Sequence, residues 1–299
     1  MVRHPLSRRR FLCNTATGTL GMLALGRFGP EALAGKTPKD SALKGNIHHS
    51  VARWTFDFLS LEELCQLVRQ VGFAAIDLVG PNQWHILKRH GIDSSMCNGA
   101  EPNLEDGWSD KSFHSALVDS YRRHIDLVSE AGYKNLICFS GNARGMSPED
   151  GLSNAEEGLK KILRQAERQG VTLQMELLNS KIDHPDYLCD NTDWGVELCK
   201  RLDSPNFKLL YDIYHMQISE GDVIRTIREN HQYFGHYHTA GVPGRHELDG
   251  NQELYYPAIM RAITETGFEG YVAQEFMPSG ESHEERKRSL ASAIKTCDV

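Results

Sequence analysis

The sequence predicts an α/β protein built as a single (β/α)8 TIM barrel. Three observations carry that prediction. A chain of 299 residues is long enough for one large barrel. From residue 45 to residue 299, short β-type runs alternate with longer helical patterns through eight units, with no linker-like break. Helices also end repeatedly in a glycine followed at once by an apolar or aromatic residue, as in Gly72-Phe73, Gly132-Tyr133, Gly170-Val171 and Gly267-Phe268. Strict alternation argues for a parallel sheet covered by helices, and eight units favour closure over an open sheet.

Residues 1–34 stand apart from this pattern. Ser7-Arg8-Arg9-Arg10-Phe11-Leu12 has the form of a twin-arginine export signature, an address read by a receptor. The run from Thr15 to Leu25 is too short and too polar for a membrane span, and Ala32-Leu33-Ala34 offers a small-x-small cleavage site. The expectation is a cleaved signal and a periplasmic chain with no stable membrane anchor, joined by a polar linker at 35–44. Removing residues 1–34 takes away five arginines and one glutamate, which leaves 28 basic against 39 acidic side chains, or −11. An acidic chain with no basic run beyond the signal does not suit a nucleic-acid phosphate track. The six cysteines beyond Cys13 are widely spread and form no Cys-x-x-Cys pair, which argues against a thiolate metal site. Buried free thiols are the expectation.

The elements follow in order. Strand one is expected at Ile47 to Val51. Ser60-Leu61-Glu62-Glu63 then reads as a capping box opening a helix to Val71. Phe73 to Val79 is strand two, Trp84 to His90 a short helix, and Ile92 to Cys97 strand three. Asn98 to Ser109 is too long for a tight turn and reads as a functional loop. A helix from Ser112 to Ala131 precedes strand four, Asn135 to Phe139. Helix Asn154 to Gln169 and strand five, Val171 to Glu176, come next. Helix Trp194 to Leu202 leads to strand six, Phe207 to Asp212, and helix Val223 to Glu229 to strand seven, Tyr233 to His238. Helix Tyr256 to Thr266, strand eight from Tyr271 to Phe276, and helix His283 to Thr296 complete the chain.

In such a barrel the chemistry sits on the rim where the strands end. The last residues of strands five to eight are Glu176, Asp212, His238 and Glu275. Three carboxylates and one imidazole converging from adjacent strands form a cation site. An oxygen-rich set without thiolate suits a hard or borderline divalent ion, Mn²⁺ or Mg²⁺. Only one of His236 and His238 is expected to serve as a ligand, the other ring turning to the opposite face. Around the four sit His215, three residues past Asp212, and Arg245 on the Gly/Pro-rich loop Gly241-Val242-Pro243-Gly244-Arg245-His246-Glu247. The planar fork of Arg245 suits a substrate carboxylate or hydroxyl. Asn179, His184 and Glu247 are further candidates, and Trp54, after strand one, is placed to line the pocket.

Met175-Glu176-Leu177-Leu178-Asn179, Tyr211-Asp212-Ile213-Tyr214-His215-Met216-Gln217, Gly244-Arg245-His246-Glu247 and Gln274-Glu275-Phe276 resemble the hydroxypyruvate isomerase family, within the xylose isomerase-like barrels. The resemblance runs from about Gly45 to Ile294. It implies one divalent metal on Glu176, Asp212, His238 and Glu275, with the two glutamates as the proton-transfer pair and His215 and Arg245 on substrate. One position departs. Hydroxypyruvate isomerases often carry glutamine, in the context His-x-Gln, where this chain has His238, as the related ketose 3-epimerases do. The resemblance therefore selects His238 over His236 and leaves the substrate open.

The resulting expectation is an isomerase that moves a proton beside a carbonyl through an enediolate, acting on a small sugar or hydroxy-keto acid. A 3-epimerase or dehydratase on the same site, and a non-catalytic metal-dependent sugar-binding protein, are the alternatives. An endonuclease would want a basic DNA face, which the acidic chain lacks. A homo-oligomer is compatible with the pattern.

Overall fold

Eight parallel strands form one sheet: β1 (His48–Val51), β2 (Ala75–Val79), β3 (Asp93–Cys97), β4 (Asn135–Cys138), β5 (Thr172–Glu176), β6 (Phe207–Asp212), β7 (Phe234–Thr239) and β8 (Tyr271–Gln274). The structure, a computed structural model, describes residues 42–299. The expected export signal and all but the end of the expected 35–44 linker lie outside the described residues. Strand order is β1-β8-β7-β6-β5-β4-β3-β2, so β1 closes onto β8. Between β1 and β2 the contact narrows to a parallel bridge of Ala52 with Asp77, where the Arg53 N–H donates to the Asp77 carbonyl at 3.0 Å. The barrel is thus nearly closed, as the alternation requires.

Strands buried on both faces should read as apolar runs, and most do. β6 is Phe-Lys-Leu-Leu-Tyr-Asp with only Lys208 partly exposed. In β5 to β8, polar residues stand at the end of the strand that faces the site: Glu176 closes β5, Asp212 closes β6, His238 and Thr239 end β7, and Gln274 ends β8. Register brings those ends level: Glu176 pairs with Leu210, Asp212 with His238, and Thr239 with Gln274, one residue before Glu275.

Helices cover the sheet: α1 (Leu61–Val71), α2 (Trp84–His90), α3 (His114–Ala131), α4 (Pro148–Gln169), α5 (Thr192–Leu202), α6 (Ile213–Ser219), α7 (Val223–Asn230), α8 (Tyr256–Glu265) and α9 (His283–Cys297). The capping box opens α1 as expected, the Glu63 N–H donating to Ser60 Oγ at 3.2 Å and the Ser60 N–H to Glu63 Oε2 at 2.7 Å. Two helices differ from expectation. α4 begins at Pro148 instead of Asn154, because Ser147 caps the Asp150 N–H and Pro148 takes the first turn. Gly151, which reads as a loop residue, lies inside that turn where Leu188 leaves no room for a Cβ. α6 was not expected. Its seven residues follow β6 without a linker, and Asp212 caps it through Oδ1, which accepts from the His215 N–H at 3.1 Å.

The long β3–α3 connection is braced against the end of β4. Trp108 and Ser109 donate through their N–H groups to the carbonyls of Phe139 and Ser140 at 3.1 and 2.8 Å, and Asn142 donates back to Glu105 at 2.9 Å. The two chains touch at Gly107 and Gly141, where a Cβ on Gly107 would collide with the backbone of Ser140 and Gly141. All six cysteines among the described residues are free and buried. No helix among them is long and apolar enough to cross a membrane.

Gly107→Ala is therefore expected to destabilise the protein by about 1–3 kcal/mol, the usual cost of overpacking, and to detach this loop. Urea unfolding and limited proteolysis between residues 98 and 109 would report both effects.

Candidate metal centre and active site

Each of β5 to β8 delivers one polar residue to the rim, and the four meet. Glu176, Asp212, His238 and Glu275 are all buried, and one ligand atom from each lies within 4.8 Å of the others. His238 Nδ1 stands 3.0 Å from Glu176 Oε1 and 2.9 Å from Glu275 Oε2. Octahedral oxygen and nitrogen donors about 2.1 Å from an ion stand about 3.0 Å apart when adjacent and about 4.2 Å when opposite. The observed separations fit one divalent ion, and these four side chains could hold it.

Electrostatics point the same way. Burial pushes the Asp212 carboxyl up to about 7 against the pull of Arg245, with the Glu275 charge adding to the rise. Burial likewise raises Glu176, and His238 only partly offsets it. Glu275 is buried too, but His238 and Arg245 overcome that and hold its carboxyl well below the usual range. His238 is held well above the usual range, the Glu275 charge and the bonds to Asp77, Glu176 and Glu275 outweighing burial. His238 and Arg245 thus leave two of the three carboxyls, Asp212 and Glu176, raised. A divalent ion would replace the proton on His238 Nδ1 and neutralise the excess.

The far nitrogen of His238 has a partner that sequence reading missed. His238 Nε2 bonds Asp77 Oδ2 at 2.8 Å. Asp77 comes from β2, is fully buried, and also accepts from Ser95 Oγ at 2.7 Å. A carboxylate behind the histidine fixes the ring so that Nδ1 faces the other three donors. Its signal was a lone carboxylate in the middle of the apolar run Ala75-Ile76-Asp77-Leu78-Val79.

His236 requires a correction. Its ring does not turn to the opposite face: Nε2 lies 3.1 Å from Asp77 Oδ1, and the ring centroid is 5.2 Å from that of His238. Residues two apart on a strand share a face, so both rings point inward. His236 sits below the four-residue cluster on the far side of Asp77, outside the donor set that contains Glu176 and Glu275.

The remaining candidates divide. Arg245 Nη2 donates to Glu275 Oε2 at 2.6 Å, and Trp54 Nε1 donates to Glu275 Oε1 at 2.8 Å. The Arg245 guanidinium lies over the rings of Trp54 and Tyr214, 5.1 and 5.3 Å from their centroids. His215 is fully buried. Its Nδ1 accepts from Asn179 Nδ2 at 2.6 Å, and its Nε2 stands 3.2 Å from Arg245 Nη1 and 3.6 Å from Asp212 Oδ2. Burial, reinforced by Arg245, keeps His215 well below the usual histidine range and therefore neutral. Asn179 acts through His215, while His184 lines the cavity directly. Glu247 does not reach the site, since its carboxylate accepts from the backbone and hydroxyl of Ser279 at 2.7 and 2.9 Å.

The cluster opens into a cavity of about 390 Å³. Trp54, His184, Arg245, Glu176 and Glu275 line its polar side, and Leu78, Ile137 and Phe139 part of its apolar side. Glu101, from the braced β3–α3 connection, also lines it.

A parallel barrel with a buried acid–histidine cluster on its rim defines the general class. The chain belongs to the xylose isomerase-like TIM barrel family, whose model matches residues 65–297. It is 37% identical over 122 residues to a 2-oxo-tetronate isomerase of Cupriavidus necator, covering 41% of this chain and 46% of that protein. A Xenopus laevis protein provisionally named hydroxypyruvate isomerase is 31% identical over 228 residues, covering 71% of this chain and 83% of its own. The matches to the first such relatives span only 40 to 46% of their length. In fold, the chain resembles the D-psicose 3-epimerase of Clostridium cellulolyticum H10, solved with D-tagatose. That comparison has a TM-score of 0.72 at 17% identity, covering 84% of this chain and 98% of the other.

Asp77→Ala is expected to lower Mn²⁺ affinity by about 10- to 100-fold, the usual loss when a ligand histidine loses its backing carboxylate. Isothermal titration of metal-stripped protein measures it. Unchanged affinity would mean that Asp77 does not orient His238.

Proposed function

We propose that this chain is a metal-dependent isomerase or epimerase that moves a proton beside the carbonyl of a small sugar or hydroxy-keto acid, through an enediolate. The observation that carries the proposal is the placement of two carboxylates, Glu176 and Glu275, 3.0 and 2.9 Å from the same nitrogen of His238. Binding alone needs no such pair. Proton transfer does, because one group takes the proton and the same or the other returns it.

Glu176, Asp212, His238 Nδ1 and Glu275 would hold one divalent ion, Mn²⁺ or Mg²⁺, with Asp77 behind the histidine. When bound, the ion supplies electrostatic stabilisation to the oxygen that gains charge as the proton leaves. The two glutamates are not equivalent. Glu275 receives contacts from Trp54, Arg245 and His238, whereas Glu176 has the single side-chain contact to His238. Glu176 is thus the less stabilised carboxylate and the better proton acceptor, and Glu275 the group that returns or relays the proton. His215, held neutral and oriented by Asn179, presents Nε2 beside Arg245, where the two orient substrate oxygens. Trp54 covers the site and keeps Arg245 in place.

Residues 1–34 we read as a twin-arginine signal that directs the barrel to the periplasm, on the strength of Ser7-Arg8-Arg9-Arg10-Phe11-Leu12. That route carries folded proteins, which suits a site loaded with metal before export.

The test is deuterium uptake in D₂O, followed by NMR, with ketoses and hydroxy-keto acids in the presence of Mn²⁺, Mg²⁺ or chelator. The expected result is metal-dependent exchange next to the carbonyl. Glu176→Gln and Glu275→Gln should each slow it by about a hundredfold or more, as loss of a general base does. Near wild-type exchange in Glu176→Gln with metal still bound would contradict the assignment of the base. Arg245→Ala should chiefly raise KM, read from the same assay run at varied substrate concentration.

A further inference from the structure

We propose that the cavity takes a neutral polyhydroxy ketone in preference to a 2-oxo acid, and that Glu101 sets this preference. The inference rests on the proposed isomerase or epimerase reading and narrows it to one substrate class.

An acidic substrate needs a cation whose charge is not already matched by the protein. Among the described residues lining the cavity, Arg245 is the one basic side chain of fixed charge. Its charge is already matched, with Nη2 2.6 Å from Glu275 Oε2 and 3.7 Å from Asp212 Oδ2, while its buried Nε has no partner and is left to a substrate hydroxyl. Stacking over Trp54 and Tyr214 fixes its plane as well. His184, the other basic ring on the wall, is neutral, since burial and the neighbouring Arg245 both depress it.

A charge count gives the same answer. With a divalent ion bound and His238 neutral, the three carboxylates of the cluster are balanced by the ion and Arg245. Glu101 adds a fourth carboxyl to the wall, with no cation of its own. Both its oxygens lie 3.0 Å from the Gly99 N–H, on a connection braced against β4, so it cannot swing away freely. Burial raises its carboxyl, and the backbone N–H groups of Glu101, Gly99 and Ala100 oppose that rise. In either protonation state it offers a sugar hydroxyl a partner and a substrate carboxylate no counter-charge. The apolar wall of Leu78, Leu104, Ile137 and Phe139 suits the C–H face of a sugar chain.

The test pairs substrates of equal length. Mn²⁺-loaded wild type and Glu101→Gln would be assayed for deuterium exchange with dihydroxyacetone against hydroxypyruvate, and with erythrulose against 2-oxo-tetronate. We expect wild type to favour the neutral partner by about tenfold or more, and Glu101→Gln to shrink that ratio by about tenfold at unchanged Mn²⁺ affinity. Equal or faster exchange of the oxo acids by wild type, or an unmoved ratio in Glu101→Gln, would overturn the proposal. Titration calorimetry of the Mn²⁺-loaded protein with threitol and threonate separates the two readings if no compound exchanges. Tighter threitol binding would keep the substrate class and sink the isomerase or epimerase reading, whereas tighter threonate binding would overturn the substrate class itself.

Discussion

Three carboxylates buried at one end of a barrel repel one another, and the rest of the site is arranged around that repulsion. Removing an ion from water costs several kcal/mol even after relaxation, so buried acids persist only where opposite charge and hydrogen bonds meet them. Here the compensation comes from His238 and Arg245, both drawn in between the acids. It is incomplete, since Asp212 and Glu176 are still pushed upward. One divalent ion held by the four side chains would supply the charge that is missing.

The scaffold supplies the precision such a cluster needs. Parallel register sets Asp212 beside His238 and carries β8 to its end one residue before Glu275. Asp212 does two jobs from one position. It ends β6 as part of the cluster, and it starts α6 by capping His215, which turns that ring back over the site. On the opposite wall, β2 contributes Asp77 from beneath, and the β3–α3 connection contributes Glu101 from above. Few of these residues could move without disturbing another, which is the rigidity that proton transfer over short distances demands.

Much of this was legible from the sequence because the relevant signals are local. Glycine-terminated helices and apolar runs marked the eight strands, and a polar residue closing each of the last four marked the rim. The α1 capping box was equally plain, since Ser60 and Glu63 lie three residues apart and the bonds of the box run between these two residues alone. What escaped was non-local or disguised. Asp77 looks like an interruption in an apolar strand until His236 and His238 of β7 meet it across the barrel interior. Glu101 sits in a stretch with no periodicity, and its place depends on the contact of Gly107 with Gly141. The first turns of α4 carry Pro148 and Gly151, which read as loop residues. For His236 the failure was of a different kind: the two-residue spacing from His238 already placed both rings on one face.

On the proposed reading, the arrangement separates this site from the acid-handling activities that its relatives' names describe. Arg245, the one fixed cation lining the cavity among the described residues, has its charge matched by the cluster's own carboxylates, which on that reading leaves discrimination among substrates to neutral hydrogen bonding and to the apolar wall. The central claim is that the whole rim is organised around one divalent ion. A crystal structure of the protein loaded with Mn²⁺, with anomalous data collected at the manganese edge, tests it most directly. The account predicts one strong peak bonded to Glu176, Asp212, His238 Nδ1 and Glu275, with Asp77 still on His238 Nε2. A peak elsewhere, or none at saturating Mn²⁺, would contradict it.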